Sequence, residues 1–173
     1  MPRRLTDIDG LVLRHLVAHG QARWSRSVTV LGAPKLMLTA TAVAGVLTQR
    51  SWPSAMRPVA VLGAGLTVRH VLCLLVHRPR PPERLWRVEP DGYSFPSKHV
   101  TTIVLAASGF LSLLRTPAAR WARGSAALTI AGVAVSRMRL GVHWPTDVLG
   151  GMLFGEVWLW LTRRVLPGKP RAR

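Results

Sequence analysis

The chain has 173 residues, 49% of them hydrophobic, and a formal net charge of +17. That length suits a single domain spanning 1–173, and charge gathered in clusters between apolar stretches argues against a soluble basic protein and for a membrane protein whose loops hold the arginines. The lone cysteine, Cys73, excludes an intrachain disulfide and a cysteine zinc site.

In chain order, residues 1–27 form an amphipathic N-terminal segment. Leu5, Ile8, Leu11, Val12, His15, Leu16 and His19 recur at helical spacing, with Asp7, Asp9 and Arg14 elsewhere. The spacing predicts a helix over 5–24, lying on the membrane surface or packed on a bundle. Its charged residues leave no uninterrupted apolar core for a cleavable signal.

Five apolar stretches follow, at 28–48, 58–77, 99–114, 124–142 and 147–162. A helix needs roughly 20 residues to cross the hydrocarbon, and a spanning chain must satisfy its backbone internally. The expected fold is therefore all-α: an integral membrane bundle of about five transmembrane helices behind the N-terminal amphipathic helix. Gly150, Gly151 and Gly155 suit close helix packing in the fifth stretch. Arg69, His70 and Glu156 are ionisable groups inside apolar stretches, where such groups usually pair; an Arg69–Glu156 or His70–Glu156 contact is expected. The basic tail, 166–173, reads as disordered.

Residues 78–96 form the longest loop, with five prolines and several arginines. Loops of that length in compact proteins are usually functional or disordered. Three polar clusters surround it: Arg78-Pro79-Arg80-Pro81, Pro96-Ser97-Lys98-His99, and Ser136-Arg137 followed by His143 and Asp147. In an antiparallel bundle the connections after helices two and four emerge on the same side, so topology gathers all three clusters. Alone, each has an ordinary explanation as a basic loop, a helix cap or a structural His–Asp pair. In order and on one face they describe a phosphate site. Arg80 and Arg137 offer planar forks that match phosphate oxygens. Ser97 can cap a helix whose first amides face an anion. His99 can protonate a leaving oxygen. Asp147 follows Pro145 in a helical first turn, where its carboxylate can hold one nitrogen of His143 and leave the other free to attack.

At this point the sequence resembles the type-2 phosphatidic acid phosphatases, which share an active site with the vanadium haloperoxidases. That family's pattern is Lys-x6-Arg-Pro, Pro-Ser-Gly-His and Ser-Arg-x5-His-x3-Asp. The third motif is complete here as Ser136-Arg137, His143 and Asp147; the second reads Pro96-Ser97-Lys98-His99; the first reads Cys73-x6-Arg80-Pro81. The resemblance covers roughly residues 57–160. It implies a metal-independent phosphatase with His143 as nucleophile, Asp147 as its orienting partner, His99 as general acid, and Arg80, Arg137 and Ser97 as phosphate ligands. Neither a cofactor nor a metal is implied, and the clusters hold too few carboxylates for a magnesium site. Cys73 stands where the pattern has lysine and Lys98 where it has glycine. Lys98, or else Arg78, is expected to restore the missing cation as a further phosphate ligand.

The resemblance also implies a lipid phosphate substrate, presented from a bacterial cell membrane. Isoprenoid phosphates or diphosphates of envelope metabolism are favoured over phosphatidic acid and phosphatidylglycerol phosphate. A non-catalytic lipid-binding relative is the rival of another class. Nucleic acid is not an expected partner, because no groove-reading motif accompanies the charge; anionic headgroups match it better. Counting Arg50, Arg57, Arg115, Arg120, Arg123, Arg163 and Arg164 against the opposite side favours an outward-facing site. Oligomeric state is not legible.

Overall fold

The computed structural model describes residues 3–114 and 119–165. Within them the chain is all helical: α1 (Arg3–Ala18), α2 (Ala22–Thr29), α3 (Pro34–Thr48), α4 (Trp52–Val76), α5 (Lys98–Leu113), α6 (Ala119–Arg139) and α7 (Pro145–Val165), with short 3-10 turns at Val30–Gly32 and Glu83–Leu85. The basic tail lies outside the described residues.

The helix boundaries correct two expectations, and proline and glycine explain both. The stretch 28–48 is not one helix. Pro34 occupies the first turn of α3 and Ala33 before it is extended (φ −69°, ψ 124°), as the steric clash ahead of a proline ring demands. The chain bends by 50° between the α2 segment and α3. The N-terminal helix expected over 5–24 likewise stops at Ala18. α2 starts after Gly20, where a Cβ would lie 2.9 Å from the Arg139 side chain. α4 instead begins six residues before the expected Pro58 and carries that proline inside.

At 25 residues α4 is long and apolar enough to cross a membrane; the bent pair Ala22–Gly32 and Pro34–Thr48 passes only when taken together, and α5 is apolar but shorter. α5 is the central helix and packs against α3, α4, α6 and α7. Its buried face, including Val100, Ile103, Val104 and Leu105, joins Leu62, Val133, Val148 and Leu159 in one core. Gly155 lets α7 lie against α5, since a Cβ there would come within 2.6 Å of Val104. Glu156 and His70 are exposed and Arg69 is buried elsewhere, so the expected ion pairs with Glu156 do not form.

The end of α4, the start of α5, the end of α6 and the start of α7 meet at one end of the bundle. The Ser97 amide donates to the Asp147 carbonyl at 3.0 Å, and the Arg87 amide to the Leu140 carbonyl at 2.9 Å. The tight turn from α6 into α7 passes through Gly141 at φ +71°, a left-handed geometry that disfavours any Cβ. A Cβ there would also sit 1.9 Å from the Leu85 carbonyl oxygen. Gly141→Ala is therefore expected to lower stability by about 1–3 kcal/mol in thermal unfolding of the detergent-solubilised protein. Gly63, on α4, has open space around it, and Gly63→Ala should be neutral or gain up to ~1 kcal/mol from helix propensity.

Candidate active site

The site is built on helix ends. Trp144 precedes α7, Pro145 takes its first position, and Asp147 its third. From there the Asp147 carboxylate reaches back to accept the Trp144 amide, Oδ2 at 2.8 Å, as the third residue of a capping box does. The same Oδ2 lies 3.5 Å from His143 Nδ1. That is close, but Nδ1 has no hydrogen-bond partner, so the expected clasp is a near approach rather than a formed bond. The other oxygen, Oδ1, takes Arg78 Nη1 at 2.6 Å.

His143 is 1% exposed. Burial, and then the charges of Arg137, Arg80 and Arg69, hold its imidazole well below the ordinary histidine value. The ring is therefore neutral at physiological pH, the form that can act as a nucleophile.

Arg80 spans the long loop like a clamp. Nε donates to the Gly92 carbonyl at 2.8 Å, Nη2 to those of Asp91 at 2.7 Å and Tyr93 at 3.0 Å, and Nη1 to that of Val142 at 2.7 Å. Four of the five guanidinium N–H groups are thus used. The remaining one is on Nη1, which stands 3.4 Å from His143 Nε2. Arg137 is buried on α6, with Nη1 donating to Thr29 at 3.0 Å and Nε unpartnered. Ser97 holds the cap position of α5 but makes no cap bond, and its Oγ is buried without a partner. His99, half-buried and the second residue of α5, is in electrostatic reach of Arg137, His143, Lys98 and Arg80.

Two expected phosphate ligands are placed otherwise. Lys98, the first residue of α5, has a 40% exposed side chain and lies 3.9 Å from the exposed Asp91, so its ammonium sits beside a solvent-exposed carboxylate rather than in the buried site. Arg78 is buried between two carboxylates, Asp9 at 2.7 Å and Asp147 at 2.6 Å, and its guanidinium carbon lies 5.9 Å from the centre of the Trp144 ring. Its donors are committed to holding the site together.

Two residues went unassigned to the site in the sequence. Arg69 sits one helical turn before Cys73 on α4. Its Nε donates to the Pro96 carbonyl at 2.8 Å, and Nη2 to the same oxygen, so its charge lies beside Ser97 and contributes to the field at His143. The i, i+4 relation to Cys73 was the available signal. Asp9, 2% exposed, reaches the site from α1. Of five buried side-chain polar atoms without partners among the described residues, Ser97 Oγ, Arg137 Nε and His143 Nδ1 belong here.

Comparison with known proteins identifies the family. The family model of the PAP2 superfamily matches residues 54–171. Decaprenylphosphoryl-5-phosphoribose phosphatase of Mycolicibacterium smegmatis is 32% identical over 134 residues, covering 73% of this chain and 69% of that protein. Undecaprenyl-diphosphatase of Sulfolobus acidocaldarius is 35% identical over 75 residues, 43% of this chain and 34% of that one. The crystal structure of a transmembrane PAP2 type phosphatidylglycerolphosphate phosphatase from Bacillus subtilis superposes with a TM-score of 0.87 at 23% identity, covering 99% of this chain and 90% of the other. On the family match and the curated relatives, the chain belongs to the PAP2 superfamily and is a hydrolase acting on phosphate esters.

Proposed function

We propose that the protein is a multi-pass membrane phosphatase that removes phosphate from a polyprenyl phosphate or diphosphate through a phosphohistidine on His143. The observation that carries the reading is the set of unpartnered polar atoms, Ser97 Oγ and Arg137 Nε, gathered with the last Arg80 N–H around a neutral His143. Buried donors without partners cost about 1–3 kcal/mol each, and a phosphoryl group bound among them would satisfy all of them. The polyprenyl preference rests on the names of the relatives.

In this reading the bound phosphate dianion offsets the surrounding arginines and lets His99 take up a proton; His143 Nε2 then attacks phosphorus, and the bond from phosphorus to the leaving oxygen breaks as His99 passes that proton to the oxygen. His99, now neutral, then takes a proton from water. The hydroxide attacks phosphorus, the P–N bond breaks, and inorganic phosphate leaves. Arg80, Arg137 and Ser97 hold the non-bridging oxygens, whose charge grows in the transition state. Asp147 faces Nδ1 and stabilises the cationic ring that forms when Nε2 carries phosphate. Arg69 supplies the cation absent at Cys73. Five spans, with the bent α2–α3 pair counted as one, put the site on the outer face by the arginine count of the sequence.

Purified in detergent with chelator present, the wild type should release phosphate from a polyprenyl diphosphate. His143→Ala should lose about a thousandfold or more, down to background. A wild type inert on that substrate, on phosphatidic acid and on phosphatidylglycerol phosphate would favour a lipid-binding role instead.

Arg69→Met should lower kcat/KM at least about tenfold more than Lys98→Met does, as expected when the loss of a buried charge contact is set against that of an exposed one. Equal effects would return the compensating role to Lys98.

The depressed pKa of His143 also sets a pH dependence. The unfolded ring takes a proton below about pH 6.5 while the folded ring stays neutral, so the unfolded state binds more protons there and stability falls as pH falls. The slope approaches ~1.4 kcal/mol per unit. Between pH 6.5 and 5 the melting temperature of the wild type should drop more steeply than that of His143→Gln.

A further inference from the structure

α1 presents two different faces. Ile8, Leu11 and Val12, part of the apolar pattern in the sequence, are exposed at 59%, 63% and 41%. The adjoining stripe holds Asp9 and Leu13, both buried. A carboxylate in the buried stripe of a surface helix needs a partner, and Asp9 has several. Oδ1 accepts the backbone amide of Thr146 at 3.0 Å. Oδ2 accepts Arg78 Nη2 at 2.7 Å and the Thr146 hydroxyl.

Each contact has a consequence for the site. Thr146 is the second residue of α7, and its amide is one of the first-turn donors that a helix leaves unpaired. Trp144, in the cap position, has no side-chain acceptor to offer. Asp9 provides that acceptor from another helix and so fixes the turn that carries Asp147. The second contact concerns charge. Arg78 is shared between Asp9 and Asp147, so two carboxylates and one guanidinium leave the cluster with one net negative charge. Asp147 Oδ2, the oxygen not engaged by Arg78, is the one 3.5 Å from His143 Nδ1. Without Asp9, Arg78 would neutralise Asp147 alone, and the cationic phosphorylated ring would lose its counter-charge.

We propose that Asp9 is a positioning residue of the active site, acting through Arg78 and Thr146 on Asp147 and thereby on His143. The assignment rests on the phosphohistidine reading above. It makes α1, which lies ahead of the family match at residues 54–171, a working part of the enzyme. Asp9 contacts Arg78 and Thr146 rather than Arg80, Arg137 or Ser97, so substrate binding does not depend on it.

The test compares Asp9→Asn, Asp9→Ser and Asp7→Asn with the wild type in detergent. Asp7 is the exposed neighbour and should behave as wild type. Asp9→Asn should lower kcat at least tenfold, with KM and the inhibition constant for inorganic phosphate each within twofold. Asp9→Ser keeps an acceptor for the Thr146 amide and removes the charge; it should lose kcat in the same way, and it replaces Asp9→Asn should that variant not fold. Retention of kcat within twofold would overturn the proposal. So would equal loss in kcat, KM and phosphate inhibition, which marks general distortion of the cradle. A silent wild type, or a fully active His143→Ala, would instead sink the phosphohistidine reading itself.

Discussion

The Arg78 guanidinium, fixed between Asp9 and Asp147, is the contact on which the site is assembled. It joins three segments far apart in sequence: α1, the loop after α4, and the first turn of α7. A buried ion pair of this kind is weak evidence for stability, because desolvation of the charges offsets most of the attraction. Its value lies in geometry. Each acceptor oxygen has a defined donor, Oδ1 of Asp147 taking Arg78 and Oδ2 the Trp144 amide. The carboxylate therefore has little freedom to rotate away from His143. The neighbouring Arg87 does similar work for α1, donating to the carbonyls of Gly20 at 2.6 Å and Val17 at 2.5 Å at the end of that helix, where cations complement the helix dipole.

The loop between α4 and α5 is thus an ordered scaffold with almost no regular structure. Its arginines replace the backbone ladder that a helix or sheet would supply. Arg80 binds carbonyls at Asp91, Gly92 and Tyr93 within the loop and at Val142 across it. Trp144 Nε1 donates to the Pro79 carbonyl at 3.1 Å, and Trp86 Nε1 to that of Pro81 at 2.8 Å. Prolines suit such a loop because each removes a donor that would otherwise need a partner.

How much of this was legible depended on whether the signal was local. Ser136, Arg137, His143 and Asp147 lie within twelve residues, so their spacing constrained their geometry, and helical topology brought the other clusters to the same end. Cap and turn chemistry is legible at Pro145, where polar residues flank the proline, and is masked at Pro34 by the apolar run around it, although its effect on Ala33 breaks the 28–48 stretch. Asp9 was beyond sequence reasoning because its partners are 69 and 137 residues away. Helical periodicity marks the most apolar face of α1, and here that face is the exposed one. The position of Arg69 inside an apolar stretch calls for a partner, and charge alone points to a carboxylate. The one it has is a backbone oxygen, at Pro96, which no pairing of charges in sequence reveals.

The same distinction explains why the arginines of Arg78-Pro79-Arg80-Pro81 divide their labour. Two residues apart in an extended segment, side chains leave on similar sides, yet Arg78 meets carboxylates and Arg80 meets carbonyls. Arg78 loses its net charge to its partners. Arg80 keeps its own, because carbonyl dipoles orient a cation without neutralising it. Of these two arginines, the charge that remains uncompensated is therefore the one held rigidly with its last N–H beside His143 Nε2. Electrostatic catalysis depends on such charges being fixed before the reaction begins, so that no reorganisation is needed as negative charge develops on the phosphoryl oxygens. Arginine meets this requirement better than lysine, since a planar fork can be clamped by several carbonyls and still direct one donor at the reacting group.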